Sequence, residues 1–589
     1  MPFGAELLPD GRVRFNFWAP AHAHIDVQLQ KVLLPMQQQS GGWHTLSTDR
    51  ATAGTRYRFV LPDGSAVPDP ASRFQPQDVH GPSEVIDPTR YRWRDHAWHG
   101  RPWHEAVLYE LHVGTFTPTG SFLSTIARLD HLLGLGVTAI ELMPLADFPG
   151  QRNWGYDGVL FFAPDGSYGR PEDLKALIDA AHERALSVIL DVVYNHFGPE
   201  GNYISSYAPQ FFNARHQTPW GAAVNFDADG SEVVREFIIH NALYWLEEFH
   251  IDGLRLDAVH AIRDDGRVHV LEELAERVRT AELARPIHLI LENEHNEAGR
   301  LQRTITGYDA QWNDDVHHAL HVAASAECEG YYADYCGDTQ KLGRALAQGF
   351  AFQGETMPYS GSARGEPCAH LPPDAFIAFI QNHDQVGNRA LGDRLSAIAP
   401  AAALRAVSAT YLLLPQIPML FMGEEWQSSR PFQFFCDFGG ELADAVRSGR
   451  RQEFSRFAAF ASESARASIP DPQANETFQG SKLDWEALAQ PSHAAVFRAY
   501  RDLLSVRARY VVPLLPHLRG AGEYTLIGKG ALRVRWNAVN GAQLTLLANL
   551  SAEAVSGFPD ADGQLLWEQG QIEANGTYPA WTVRWILRQ

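Results

Sequence analysis

A chain of 589 residues is longer than one hydrophobic core organises, so two to four domains are expected. Apolar residues at 45% and charged residues at 20% are ordinary for a globular protein. The net charge of −21 repels phosphate backbones and anionic lipid, which sets nucleic acid and membrane surfaces aside as partners and leaves a neutral ligand unpenalised. The four cysteines, Cys328, Cys336, Cys368 and Cys436, form no CxxC pair, so neither a disulfide framework nor a zinc site is expected. The N-terminus has no basic segment leading into an apolar run, and no stretch of about 18 apolar residues occurs anywhere. The expectation is a soluble, cytoplasmic protein.

Residues 1–95 predict an immunoglobulin-like β-sandwich. Val13–Trp18 and His24–Leu29 alternate apolar with polar, and turn signals such as Pro62-Asp63-Gly64 recur at short spacing. From about 96 to 512 strands alternate with helices. Val107–Val113, Val137–Leu142, Ser187–Val193 and Gly253–Leu256 read as buried strands. Ile287–Leu291, a faint sixth near Tyr308–Trp312, Phe376–Ile380 and Pro418–Phe421 continue the series. Phe122, Leu123, Ile126, Leu129, Leu132 and Leu133 predict one helical face, and Pro171 opens a helix with Glu172 and Asp173 in its positive first turn. Eight strand–helix units with apolar strands predict an α/β fold, a closed (β/α)₈ barrel, and the absence of a Gly-rich phosphate loop argues against a dinucleotide fold. Residues 197–230 read as a loop-rich excursion. Residues 513–589 return to strands, predicting a C-terminal antiparallel β domain, a second sandwich.

Polar residues gather where the barrel strands end, which is where barrel active sites are built. The third strand runs into Asp191-Val-Val-Tyr-Asn-His196, and the fourth, Gly253-Leu-Arg-Leu-Asp257, is followed by His260. The fifth ends in Glu292 and the seventh in Gln381-Asn-His-Asp384. Any one of these could be a helix cap or a satisfied polar core residue. Three strands delivering carboxylates to one mouth is costlier and needs a reason. Arg255, two residues before Asp257, projects to the same side and can hold that carboxylate ionised. Hydrolysis of a glycoside needs one ionised and one protonated carboxyl, so Asp257 suits the nucleophile, Glu292 the acid, and Asp384 the binding of sugar hydroxyls.

These segments, together with Asn153-Trp-Gly-Tyr-Asp-Gly158 and Pro418-Met-Leu-Phe-Met-Gly-Glu-Glu425, resemble the signature segments of the α-amylase superfamily. The resemblance implies Asp257 as nucleophile, Glu292 as acid/base and Asp384 as transition-state stabiliser. It places Tyr156, Asp157, His196, Arg255 and His383 around the reacting glucose. Asp309–His321, Gln381–Asp393 and Pro431–Phe438 are similar to the maltooligosyltrehalose trehalohydrolases within that superfamily. That likeness implies a maltooligosyltrehalose or related α-glucan as substrate, cut beside its terminal trehalose, and an enzyme acting after a maltooligosyltrehalose synthase. A glucan branching enzyme, or a non-catalytic glucan-binding protein, stays open as an alternative. The trehalose moiety is kinked and non-reducing, so its hydroxyls need a closed polar pocket. Candidates are His260, Asp314, Asp315, His317, His318, Gln385 and Asn388. No dense carboxylate loop of the calcium-binding kind occurs, so no metal and no cofactor are expected.

Overall fold

The computed structural model describes residues 2–589. Eight parallel strands close into a barrel in chain order: β1 (Leu108–Leu111), β2 (Ala139–Leu142), β3 (Ser187–Val192), β4 (Gly253–Leu256), β5 (His288–Leu291), β6 (Ala310–Trp312), β7 (Phe376–Ala378) and β8 (Ile417–Phe421). Every residue of these strands is buried. Their near-continuous apolar runs suit strands covered on both faces.

The pleat sets what lies inside. Leu108, Ala139, Ile189, Ile290, Ala310, Trp312, Ile377, Phe379, Ile417 and Met419 pack with Trp103 and Ala106 into an apolar plug. Side chains two apart on a strand share a face. Moving two residues toward the C-terminal mouth, the same inward rows therefore carry Glu110, Glu141, Asp191 and Glu292. On β4 the inward row is Gly253, Arg255 and Asp257. The barrel is greasy below and charged above, and the charged layer opens toward the loops.

The N-terminal region folds as two sheets, with Gly4–Leu7, Val13–Trp18, Trp43–Thr48 and Gln37–Gln38 in one. Asp26–Leu29 pairs with Val32–Pro35 and Arg56–Val60 in the other. Phe17 stacks on Phe59 between them at 4.1 Å. Phe3 meets Phe237 and Trp18 meets Phe211, which seats this unit on the barrel side of the molecule.

Four sequence expectations need correction. The helix expected over residues 122–133 is two short helices, Phe122–Ile126 and Leu129–Leu135, broken at Ala127 and Arg128. The break resets the helical phase, so Phe122, Leu129 and Leu132 are buried while Leu123 and Leu133 face solvent. The excursion is more ordered than expected, with a helix at Ile204–Tyr207 and a hairpin of Phe212–Thr218 against Gly221–Val224. Pro219 and Trp220 form its tip, and Gly221 takes the positive φ of 114° that the reversal needs. The C-terminal strands Glu523–Gly528, Ala531–Asn537, Gln543–Asn549, Thr582–Arg588 and Gln564–Gln569 form one five-stranded antiparallel sheet rather than two facing sheets. Its inner face packs on the barrel helices, with the Trp585 indole donating to Ala409 O, so a second sheet is not needed to cover it. Finally, Cys328 and Cys336 are joined in a disulfide. The turn at Gly330–Tyr335 folds the chain back until their Cα atoms are 5.4 Å apart. Cys368 and Cys436 are free and buried. Among the described residues no helix is long and apolar enough to cross a membrane.

Candidate active site

Arg255 is the hub of the barrel mouth. Its Nη1 donates to Asp191 Oδ2 at 2.6 Å and to Asp257 Oδ1 at 2.9 Å, and its Nη2 lies 3.3 Å from Glu292 Oε2. The guanidinium rests over the Trp312 ring, 3.9 Å from its centroid. Burial lowers the pKa of this group. Asp191 and the other acidic neighbours more than offset that, and its pKa is pushed well above its usual value.

The two carboxyls on this guanidinium are treated differently. Asp257 has a donor on each oxygen, Arg255 on Oδ1 and Asn195 Nδ2 on Oδ2 at 2.9 Å. Both oxygens therefore accept a hydrogen bond. Glu292 is engaged on Oε2 alone, by the Ala258 backbone N–H at 2.5 Å and by its ion pair with Arg255. Ala258 reaches it from a left-handed backbone, φ 40°, a conformation that costs a non-glycine residue about 1–2 kcal/mol. Burial pushes the Glu292 pKa well up, Arg255 opposes the rise, and Asp257 adds to it. Oε1 remains to carry the proton. The Asp257 and Glu292 side chains are 13% and 23% exposed, so both keep an open face toward the cleft.

The loops add the walls. Tyr156 donates its hydroxyl to Asp191 at 2.6 Å and stacks on His383 with ring centroids 5.0 Å apart. Asp157, raised by burial, is held by Asn153 Nδ2 at 2.7 Å. Gly155 makes this turn possible: its φ is 104°, and a Cβ there would sit 2.2 Å from Pro144 O. His196 has both ring nitrogens engaged, by Asn195 and by Tyr156 O, and offers its face, on which Trp220 stacks at 4.5 Å and 5°. His383 is tied through Nδ1 and its backbone N–H to Glu110. Asp384 is pushed up by burial, with His383 opposing, and accepts from Asn388 Nδ2 at 2.5 Å.

The residues expected to read trehalose divide. Asp314 faces the acidic cluster, and its pKa is driven up to about 7 by burial and by Asp384 against the opposing charge of Arg364. His260 accepts from Glu294 N through Nδ1. Gln385 is half-buried with no side-chain hydrogen bond among the described residues, and Asn388 is exposed beside Asp384. Asp315 is different: it is fully buried and receives Arg364, the Tyr335 hydroxyl, Asn296 Nδ2 and the backbone N–H groups of Ala351 and Phe352. His317 likewise spends Nδ1 on Ile380 O and Nε2 on Tyr332 OH. Both are occupied by the protein and lack a free polar atom for a sugar, contrary to the sequence expectation. His318 lies among Tyr331, Tyr332 and Tyr335 with Nδ1 unpartnered, and burial drives its pKa well down.

Several site residues escaped sequence reasoning. Glu110 and Glu141 are single charges inside apolar strands, a signal that periodicity alone could have flagged. Trp220 and Tyr331 sit on loops, and their approach to His196 and His318 has no sequence signature. Among the described residues, the three possible metal ligands that come together are His216, Asp227 and Asp265, whose ligand atoms lie within 4.8 Å of one another. Asn213 and Arg215 already fill one oxygen of Asp227, and the Asp265 N–H takes the other, which leaves this group poorly suited to an ion.

Two carboxyls brought to one buried cation at a barrel mouth fit the pair of carboxyl groups that a glycoside hydrolase uses. The α-amylase catalytic domain matches residues 92–219, and a domain of unknown function, DUF3459, matches residues 519–585. The chain is 44% identical to the malto-oligosyltrehalose trehalohydrolase of Deinococcus radiodurans over 86% of its own length and 82% of that protein. It is 39% identical to the enzyme of that name from Saccharolobus solfataricus over 95% of this chain and 97% of the relative. A crystal structure of a candidate alpha amylase from Salmonella typhimurium superposes with a TM-score of 0.95 at 46% identity, covering 100% of this chain and 99% of that one. The fold, the charged barrel mouth and this likeness along almost the whole chain agree: the chain belongs to the malto-oligosyltrehalose trehalohydrolase family of the α-amylase superfamily of glycoside hydrolases.

Proposed function

We propose that the chain hydrolyses the α-1,4 bond next to the terminal trehalose of a maltooligosyltrehalose, releasing trehalose and retaining configuration at the glucosyl carbon. The observation that carries the chemistry is the unequal pairing of Asp257 and Glu292 on Arg255. The names of the relatives carry the choice of substrate. In the first step Asp257 bonds to the anomeric carbon while Glu292 gives its proton to the departing glycosidic oxygen, and trehalose leaves. In the second, water attacks that carbon, Glu292 takes the water's proton, and the bond to Asp257 breaks. Asp384 accepts hydrogen bonds from sugar hydroxyls, contacts that strengthen as the ring flattens. Tyr156 and His383 pack along the same glucose, and Trp220 on His196 extends the apolar wall. The substrate is made by an enzyme that joins two glucoses α,α-1,1 at the end of a maltooligosaccharide. The reading places this chain in the cytoplasm, after such a maltooligosyltrehalose synthase.

Product analysis tests the reading. Maltooligosyltrehalose should yield trehalose and a shortened maltooligosaccharide, and amylose should gain no α-1,6 branches. New branches would mark a transferase, and binding without products would mark a glucan-binding protein.

Asp257→Asn and Glu292→Gln should each lower kcat by several orders of magnitude, with circular dichroism unchanged. An α-maltosyl fluoride separates the roles, because fluoride leaves without protonation: Glu292→Gln should release a rapid burst of fluoride and then stall for want of a base, with azide restoring turnover, and Asp257→Asn should release none. The acid works only while protonated. kcat/KM therefore falls as pH rises through the elevated Glu292 pKa, and that alkaline limb is missing when Glu292→Gln acts on the fluoride.

The trehalose side yields a second contrast. Asp315→Ala should lower Tm and slow maltooligosyltrehalose and plain maltooligosaccharides by the same factor, because it removes an internal clamp. Asp314→Asn should slow maltooligosyltrehalose more, by about 10-fold or greater, since a site built for a hydroxyl rejects ligands through unpaired groups. Kinetics on both substrates for both variants decide the matter, and equal losses in Asp314→Asn would remove it from the trehalose pocket.

A further inference from the structure

Glu110 is a charged residue at the centre of β1, 1% exposed, on the inward row above the apolar plug. Its neighbour in register on β2 is Glu141. The two carboxyls have opposite surroundings. Neither oxygen of Glu141 has a hydrogen-bond partner among the described residues, and burial, aided by the repulsion of Glu110, drives its pKa well up. Both oxygens of Glu110 are taken, and by one residue: Oε2 accepts the His383 backbone N–H at 2.9 Å and Oε1 accepts from His383 Nδ1.

That double contact fixes His383 in backbone and in ring. The ring is also wedged by Tyr156 at 5.0 Å and Trp154 at 5.6 Å. With Nδ1 committed, Nε2 is the ring nitrogen without a hydrogen-bond partner among the described residues. His383 is the first residue of the short helix His383–Gly387, which carries Asp384, and Asn382 caps it through the Gln385 N–H. The carbonyl of Glu110 accepts the Met422 N–H, which locks β1 to the end of β8. Glu110 therefore connects the strand framework to the turn that bears two site residues.

We propose that Glu110 is a positioning residue for the reaction: by holding both the backbone N–H and Nδ1 of His383, it aims the free imidazole nitrogen at the substrate and sets the turn that presents Asp384. This rests on the reading of the barrel mouth as a hydrolase site. The ring's charge state agrees with it. Burial would make His383 neutral, Glu110 and Asp384 outweigh burial, Arg255 opposes them, and the net pKa is raised.

A double-mutant cycle on maltooligosyltrehalose tests the proposal. Glu110→Gln keeps the shape but replaces the oxygen that accepts from Nδ1 with an amide donor, or else gives up the backbone contact. It should cut kcat by about 10- to 100-fold, the scale of a small misplacement of reacting groups, with KM within about threefold. If Glu110 acts through His383, the double variant Glu110→Gln/His383→Asn should lose much less than the product of the two single losses, the remainder being the backbone contact that His383→Asn keeps. Glu110→Asp, which keeps the charge and shortens the reach, should behave the same way and covers a Gln variant that folds poorly. Losses that multiply in the double variants, or a single Glu110 variant with wild-type kcat, would overturn the proposal. A second readout needs no substrate. The wild-type protein should show a low-field Nδ1–H proton signal in NMR that is lost in both Glu110→Gln and His383→Asn. A signal that persists in Glu110→Gln would overturn the pairing. Wild-type protein that releases no trehalose while showing the signal would count against the hydrolase reading and leave the pairing standing.

Discussion

One guanidinium meets three carboxyl groups at the barrel mouth, and the site is organised by that meeting. Arg255 is 2% exposed. Taking an ion out of water costs several kcal/mol, and a buried cation survives only with excellent partners. Asp191 and Asp257 supply them from β3 and the end of β4, Glu292 adds a third from the end of β5, and the Trp312 face closes the remaining side. The same contacts run in reverse. Asp257 in turn is held on both oxygens, by Arg255 and by Asn195. Removing Arg255 would leave carboxyls facing one another with no cation between them.

The barrel makes this arrangement possible by stratifying its interior. Below, Leu, Ile, Ala, Phe and Met fill the axis and exclude water. Above, the pleat brings the next inward positions of neighbouring strands together, and those positions are acidic. Low polarity beneath the charged layer strengthens each hydrogen bond within it and raises the buried acids. Asp191 reaches about 6 and Asp314 about 7, each pushed first by burial, and burial also pushes Glu141 and Glu292 well above their usual range. The cleft is thus a graded set of carboxyls, with Asp257 gripped on both oxygens and Glu292 on one.

Much of this was legible in the sequence, for physical reasons. Strand ends are short-range features, and Arg255 and Asp257 share a face because a strand alternates with a period of two. The eight strands were legible because each is an apolar run between polar loops, and even the faint β6 fell where the pattern placed it. What stayed hidden depends on contacts between distant segments. The burial of Asp315 beneath Arg364 and Tyr335, the stacking of Trp220 on His196, and the Cys328–Cys336 bond all join segments whose approach no local pattern encodes. The break at Ala127 was missed because apolar spacing alone does not reveal where a helix resets its phase.

The central claim is a difference in protonation between two carboxyls on one arginine. Neutron diffraction from a crystal of the perdeuterated protein near neutral pH sees it directly. The account predicts deuterium on Glu292, on Oε1 and away from Arg255 and Ala258, and none on either oxygen of Asp257. A bare Glu292, or a deuterium on Asp257, would contradict it.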